Sequence, residues 1–361
     1  MNLTRIRRAT ISLMVVAALT GSIAACSSDS GGGAGASGGS EKGFGQLNVR
    51  LGWQKDVMSS GMYFADQKGY YKDAGFSSVN LISGGQAAPT VASDVIQGNA
   101  LYGMDGPDYA AAAYKAGTPL TVVGCQMQET PIAFISAADS GIATAKDLIG
   151  KRIGVQDANT TVIDAVLKTN GIDPYKVTIV PWQGDATILV GHEVDAILAF
   201  GVEYTLALDH VGFKYRRDLV AKFGLHNMTY CYEVTRDALK NSRDKIKAAL
   251  VAEIRGWRDA LADPKQAAKY TLDTYGKDLG LDATTQEAIL CRTSDLFLTD
   301  DTNKNGLFWM SDTKIDQNMA SITESGIKDV KKDELFDNSL LQEIYKEQPD
   351  LKTPVKLGCS S

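Results

Sequence analysis

Metal-binding and catalytic signatures are what this sequence has least of. Its three histidines, His192, His210 and His226, are scattered, and no two of its five cysteines stand in C-x-x-C spacing, so no metal centre is expected. Beyond residue 45 there is no G-x-S-x-G, H-E-x-x-H or P-loop, which removes the common signatures of hydrolases, metalloproteases and nucleotide-dependent enzymes. Basic charge is short as well. The 37 Lys+Arg face 43 Asp+Glu, a net charge of −6 and a pI near 5.2, which argues against a general nucleic-acid binder. No internal repeat of fixed period occurs, and the longest apolar stretch is too short to span a bilayer. What is present is an ordinary globular composition, 44% hydrophobic and 8% aromatic over 361 residues, enough for about two domains with their own cores.

Glycine is unevenly spread: of 35, eight fall between Gly31 and Gly45. Ahead of them, Arg5, Arg7 and Arg8 precede an apolar run from Ile11 to Leu19 and small residues up to Cys26, the order of an export signal. Ile23-Ala24-Ala25-Cys26 resembles the lipobox of bacterial lipoproteins, which implies that residues 1–25 are a signal peptide and that Cys26 becomes the diacylated first residue. Residues 26–45 then read as a flexible Gly/Ser tether, holding an exported body at the outer face of the cell membrane. Removing three arginines leaves 34 basic against 43 acidic residues, or −9, so acyl chains rather than charge would supply the anchor. The remaining Cys125, Cys231, Cys291 and Cys359 permit two disulfides in three pairings; Cys125 with Cys231 and Cys291 with Cys359 is the favoured one.

From Gln46 the chain alternates short apolar runs with amphipathic stretches, the rhythm of an α/β protein. Leu47–Trp53, Ser78–Ile82 and Leu120–Gly124 read as strands, with helices over Ser60–Lys68, Pro89–Gln97 and Pro107–Lys115, each closed by a glycine. A second set follows: a capping box at Thr144 and Asp147, strands at Arg152–Val155, Val177–Val180 and Ala196–Phe200, and a helix over Thr160–Thr169. After a strand at Thr229–Val234 the pattern turns helical, over Arg243–Leu261, Gln266–Tyr275, Thr284–Leu290, Asp312–Ser325 and Ser339–Tyr345.

Gly61-Met-Tyr63-Phe-Ala65-Asp-Gln-Lys-Gly69-Tyr70-Tyr71-Lys-Asp-Ala-Gly75 reads mechanically as a helix, an aromatic turn and a second left-handed stop. It also resembles the G-x-Y-x-A-x-x-x-G-Y-[YF]-x-x-x-G stretch of solute-binding proteins of the NMT1/THI5-like group, which includes sulfonate, nitrate, taurine and thiamine-pyrimidine binders. Lys146-Asp-Leu-Ile-Gly150-Lys-Arg-Ile-Gly154-Val155 is similar to that group's K-D-L-x-G-K-x-I-G-V, and Val194-Asp195-Ala196 matches ahead of a strand. The resemblance covers roughly residues 47 to 235. It implies a type II periplasmic-binding-protein fold, two α/β lobes joined by two crossover strands with a ligand cleft between them. Lobe one would comprise residues 46–130 and 232–361, and lobe two residues 131–231. Many pyrimidine-type members carry D-W-T-P-N where this chain has Gly52-Trp53-Gln54-Lys55-Asp56, and Leu101 stands where the family often has aspartate.

In open α/β sheets ligands lie beyond the carboxyl ends of the strands. Those positions are Trp53 and Gln54, then Gly85 and Gln86 after Gly84, then Asp105 with Asp108 and Tyr109. From lobe two come Asp157, Asn159, Thr160 and Thr161, then Trp182 and Asp185, then Glu203 and Tyr204. Asn159-Thr160-Thr161 also reads as a helix cap. The set is rich in aromatic rings and carboxylates and contains no Arg, with only Lys55 near the first loop. A flat nitrogenous ligand suits ring faces and carboxylate acceptors, whereas a sulfonate or nitrate would usually draw on an Arg fork. The expectation is the extracytoplasmic solute-binding component of an ABC importer, a monomer without cofactor that captures a thiamine-pyrimidine precursor or similar solute and delivers it to a membrane permease. Anion binding of the sulfonate, taurine or nitrate type is the alternative. An enzyme is not expected, because fungal pyrimidine synthases of the wider family carry an H-C-C-C-F-C motif that is absent here; a surface lipoprotein without a transport role is the other competing reading.

Overall fold

The computed structural model describes residues 43–85 and 87–359; the expected signal peptide, Cys26, residues 26–42 of the tether and Gln86 lie outside the described residues. Ten strands form two five-stranded sheets. The first holds β1 (Gly45–Arg50), β2 (Phe76–Ile82), β3 (Tyr102–Asp105), β4 (Leu120–Met127) and β10 (Thr229–Thr235) in the order β2-β1-β3-β10-β4. The second holds β5 (Ile132–Ala137), β6 (Arg152–Val155), β7 (Thr178–Pro181), β8 (Ala196–Phe200) and β9 (Tyr215–Leu219) in the order β7-β6-β8-β5-β9. In each sheet four strands point the same way and the chain's crossing strand, β10 in the first and β5 in the second, runs antiparallel to both its neighbours.

Helices cover both sheets. In the first lobe α1 (Ser60–Gln67) and α2 (Pro107–Lys115) each follow a strand, and α2 starts on a proline at a position where the missing N–H costs nothing. In the second lobe α3 (Thr160–Thr169) and α4 (Gly201–His210) follow β6 and β8. The C-terminal helices α5 (Arg243–Ala262), α6 (Ala283–Phe297) and α7 (Asp312–Glu324) return to the first lobe. They explain why β4, an edge strand, is buried at every position. Its outer edge is covered in part: the Phe308 carbonyl accepts the Cys125 N–H, the Asp337 N–H donates to the Val122 carbonyl, and just past the strand the Leu296 carbonyl accepts the Gln128 N–H.

The first lobe's main core gathers Tyr63, Trp257, Phe297 and Leu250, and Val202 of α4 reaches it from the second lobe. The second lobe has a core on each face of its sheet, one around Phe134, Ile163 and Phe223, the other around Ile135, Trp182 and Ile197. The chain passes between lobes twice, over residues 128–131 and 225–228. The expected second boundary at residue 231 therefore needs correction. It falls inside β10, which pairs with β3 and β4 from Thr229 onward because Cys231 and Glu233 complete the first sheet's ladder. Disulfides join Cys125 to Cys231 and Cys291 to Cys359.

Candidate functional site

The first lobe presents three loops at the carboxyl ends of β1, β2 and β3. They pack backbone against backbone, and glycine is what permits it. A Cβ on Gly84 would lie 2.7 Å from the backbone of Gly52 and Trp53, and one on Gly52 would strike the Met104 carbonyl. Beneath them Arg50 is buried. Its guanidinium donates to Asp94 Oδ2 at 2.6 Å and to the carbonyls of Leu51 and Pro89, which ties the loops after β1 and β2 together. On this platform Trp53 is 40% exposed and Tyr109 51% exposed, with Gln54 exposed and Gly85 beside it.

Carboxylates collect around these rings. Asp56 accepts the Met58 N–H at 2.9 Å, yet burial, joined by the charge of Glu203, pushes its pKa up to about 7. Asp105 accepts the Gly106 N–H at 2.9 Å, and burial together with Asp108 raises it to about 7 against the opposing pull of Arg50. Asp108 is raised by burial as well. Burial and these two aspartates push the Tyr109 hydroxyl up to about 12. Tyr230, held at a φ of 50°, is raised by burial and then by both Asp56 and Asp105, so it shares their field. Below them Glu233 is fully buried, with no hydrogen-bond partner for either carboxylate oxygen, and burial, Asp105 and Asp108 push it well up.

In the second lobe Glu203 stands at the surface on the first turn of α4, where partial desolvation by its neighbours raises its pKa, and its charge reaches Asp56 across the cleft. Tyr204 is half-buried, its hydroxyl 3.5 Å from Gln156 Oε1. Asp157, Thr160 and Thr161 are exposed at the start of α3. Two expectations are corrected. Asn159 does not cap α3: its side chain turns inward and donates to the Leu198 carbonyl at 3.3 Å, leaving the first N–H groups of the helix without a side-chain cap. Trp182 offers no ring face, being 3% exposed; its indole N–H donates to the Asp185 carbonyl at 2.7 Å and its ring packs 4.6 Å from that of Tyr204. Asp185 is exposed, but its carboxylate is held below the usual range by the Thr187 backbone N–H and hydroxyl.

Sequence reasoning missed Asp56, Tyr230 and Glu233. Asp56 was within sight, since an aspartate two residues before an N–H at the head of the Val57–Ser59 turn is a capping signal. Tyr230 and Glu233 reach the site only through the antiparallel return of β10, which no local pattern announces. Arg50 lies beneath the site as well, with its donors already engaged.

Two α/β lobes, crossed twice and facing each other across polar loops, define the type II periplasmic-binding-protein fold. Residues 57–267 match the family described as NMT1/THI5 like, and the chain belongs to that family. Solved structures with the same fold include the periplasmic aliphatic sulphonate binding protein SsuA of Escherichia coli, at 18% identity and a TM-score of 0.53 over 69% of this chain and 83% of that one. Another is the sulfonate-binding SsuA of Methylobacillus flagellatus KT, at 14% identity and a TM-score of 0.60 over 84% of this chain and 94% of that one. Among curated proteins, a 4-amino-5-hydroxymethyl-2-methylpyrimidine phosphate synthase of Saccharomyces cerevisiae is 26% identical over 63% of this chain and 71% of its own length. The corresponding synthase of Legionella pneumophila is 26% identical over 36% of this chain, and the match spans 40% of that enzyme. Membership of the family implies a small-molecule ligand.

Proposed function

We propose that the protein captures a small, nitrogen-rich aromatic solute of the aminopyrimidine kind by closing its lobes, binds it without chemical change, and hands it to an ABC permease from a lipid-anchored position. The observation that supports this reading is the pairing of carboxylates with ring faces: Asp56, Asp105 and Glu203 beside exposed Trp53 and Tyr109. Carboxylates accept from ring N–H and amino groups, and a bound cation or donor repays the cost of ionising them. The pyrimidine in the names of the curated relatives is consistent with that chemistry.

A second reading is an anion of the sulfonate class. The solved relatives named above bind sulfonates, which favours it over the first, and the N–H groups of the first turn of α3 beyond Thr160, which no side chain caps, are donors an oxyanion can use. Calorimetry of the full-length protein with 4-amino-5-hydroxymethyl-2-methylpyrimidine, taurine and ethanesulfonate separates the two. The first reading expects saturable binding of the pyrimidine, weakened about tenfold by Asp56→Asn or Asp105→Asn, roughly the worth of a charge-assisted hydrogen bond. Binding of the sulfonates with none of the pyrimidine establishes the second. Chromatography of the released solute tests the absence of catalysis, since a product other than the solute added would make the protein an enzyme.

A further inference from the structure

A cavity of about 400 Å³ lies between the lobes, away from the carboxylate loops. The second lobe lines it with Thr205 of α4 and Tyr215, Arg217 and Leu219 of β9; the first lobe adds Arg292 and Asp295 of α6. Its chemistry is opposite to that of the cleft. Arg217 Nε is buried and lacks a hydrogen-bond partner among the described residues. Glycine at 201 leaves room for it, because a Cβ there would lie 2.9 Å from that nitrogen, and so the side chain can lie over the first turn of α4. Leaving such a donor desolvated costs free energy unless something accepts from it.

Arg292 enters from the other lobe. Its Nη1 pairs with Asp209 Oδ2 at 2.8 Å and approaches Thr205 Oγ1 at 3.4 Å. The charge of Arg292 bears on Arg217, which burial already holds below its ordinary value, while Asp295 and Tyr215 act in the opposite sense. The two guanidinium groups repel one another across the cavity. Asp209 holds one nitrogen of Arg292 and the Thr205 hydroxyl is spent on the Val202 carbonyl, so the donors left for an oxyanion are Arg217 Nε, the rest of the Arg292 fork and the Tyr215 hydroxyl. Asp295 narrows the choice further. A carboxylate accepts hydrogen bonds and cannot give them, so it repels a fully deprotonated dianion and favours one that carries a proton.

We propose that this cavity is a second binding site, selective for a protonated phosphate group that bridges Arg217 and Arg292 and so ties the second lobe to the first. The site is independent of the solute held in the cleft. The phosphate is either inorganic or the head of a small phosphomonoester, for which the cavity volume leaves room.

The test is titration of the full-length protein with inorganic phosphate, methyl phosphate and sulfate, each at constant ionic strength against chloride, followed by calorimetry and by melting temperature. Sulfate and phosphate both stabilise proteins generally by exclusion from their surface, but that effect is linear in concentration and does not saturate. Saturable binding of inorganic or methyl phosphate in the millimolar range or below, at least tenfold tighter than sulfate, is the expected result, and the stronger of the two phosphates identifies the source. Binding of sulfate as tight as phosphate, or no saturable phase with either phosphate, overturns the proposal. Arg217→Gln and Arg292→Gln should each weaken phosphate binding at least tenfold; wild-type binding in both places the anion elsewhere and overturns it too. Should either variant fail to fold, arsenate soaked into wild-type crystals decides the matter: anomalous density between the two guanidinium groups is expected, and density only at other positions refutes the site.

Discussion

Asp56 and Asp105 hold protons to about pH 7 in the folded chain, whereas their ordinary value is 3.8. Between those limits the folded state binds more protons than the unfolded one, so stability is greatest below about pH 4 for these groups and falls as pH rises through 7. Both side chains retain some contact with solvent, and the loss is therefore on the order of 1–2 kcal/mol each, well short of what the full shift would carry. Thermal melts of the solute-free protein at pH 5 and pH 8 should show this decline. Asp105→Asn and Asp56→Asn should each flatten it and raise the melting temperature at pH 8. A profile unchanged by both substitutions would mean that neither carboxyl keeps its proton. The same reasoning gives the cleft its use: the electrostatic strain of three neighbouring acids is relieved by a ligand that donates to them.

At the scale of elements, a close backbone approach in the first lobe is where α1 crosses α5. A Cβ on Gly256 would run into the Gly61 carbonyl and lie 2.8 Å from the Ala65 nitrogen, and one on Gly61 would enter the ring of Trp257. Alanine is the better helix former, by up to about 1 kcal/mol. Here the obstacle is backbone, which cannot rotate away, so Gly256→Ala should destabilise by about 1–3 kcal/mol net, read as a lower urea midpoint. A midpoint equal to wild type would show that the helices can part. This crossing also marks what the sequence could convey. Gly69 was readable as a helix stop because its role is local, and α2, α3, β6 and β8 stand where periodicity and capping put them. Gly61 was not readable as a contact residue, because its partner comes from a helix far along the chain. The strand Tyr215–Leu219 was missed for a related reason: Tyr-Arg-Arg-Asp-Leu on a half-buried edge has no apolar alternation, and only its pairing with β5 makes it a strand. Trp182 was misread because an aromatic after proline in a loop suggests exposure, while the Asp185 carbonyl and Tyr204 ring that bury it follow later in the chain.

The molecule as a whole turns on its two crossings, and both leave from adjacent strands. Residues 128–131 follow β4 directly, and residues 225–228 lead directly into β10; these strands pair antiparallel, with Cys125 opposite Cys231. The disulfide between them therefore sits at the base of both crossings, just inside the first lobe. Around it, Glu129 of the first crossing meets Lys314 of α7 at 2.5 Å and His226 of the second at 3.0 Å, so the two segments are also clasped to the C-terminal helices. Lobe motion needs rotation in these short segments while the strands beneath them stay fixed. A covalent link there closes a loop that contains the entire second lobe, which should make it the more global of the two bridges. Cys125→Ala with Cys231→Ala should lower the unfolding free energy by about 2–5 kcal/mol. Both sulfurs are buried, so part of that loss is packing, and comparison with Cys291→Ala and Cys359→Ala, which frees only the C-terminal tail from α6, separates the terms. The hinge argument adds a second expectation. The first pair should broaden the distribution of inter-lobe distances measured between spin labels on the two lobes, and the second should leave it unchanged. No broadening by the first pair would show that the base of the crossings needs no covalent pin, and that strand pairing with the Glu129 clasp already holds it.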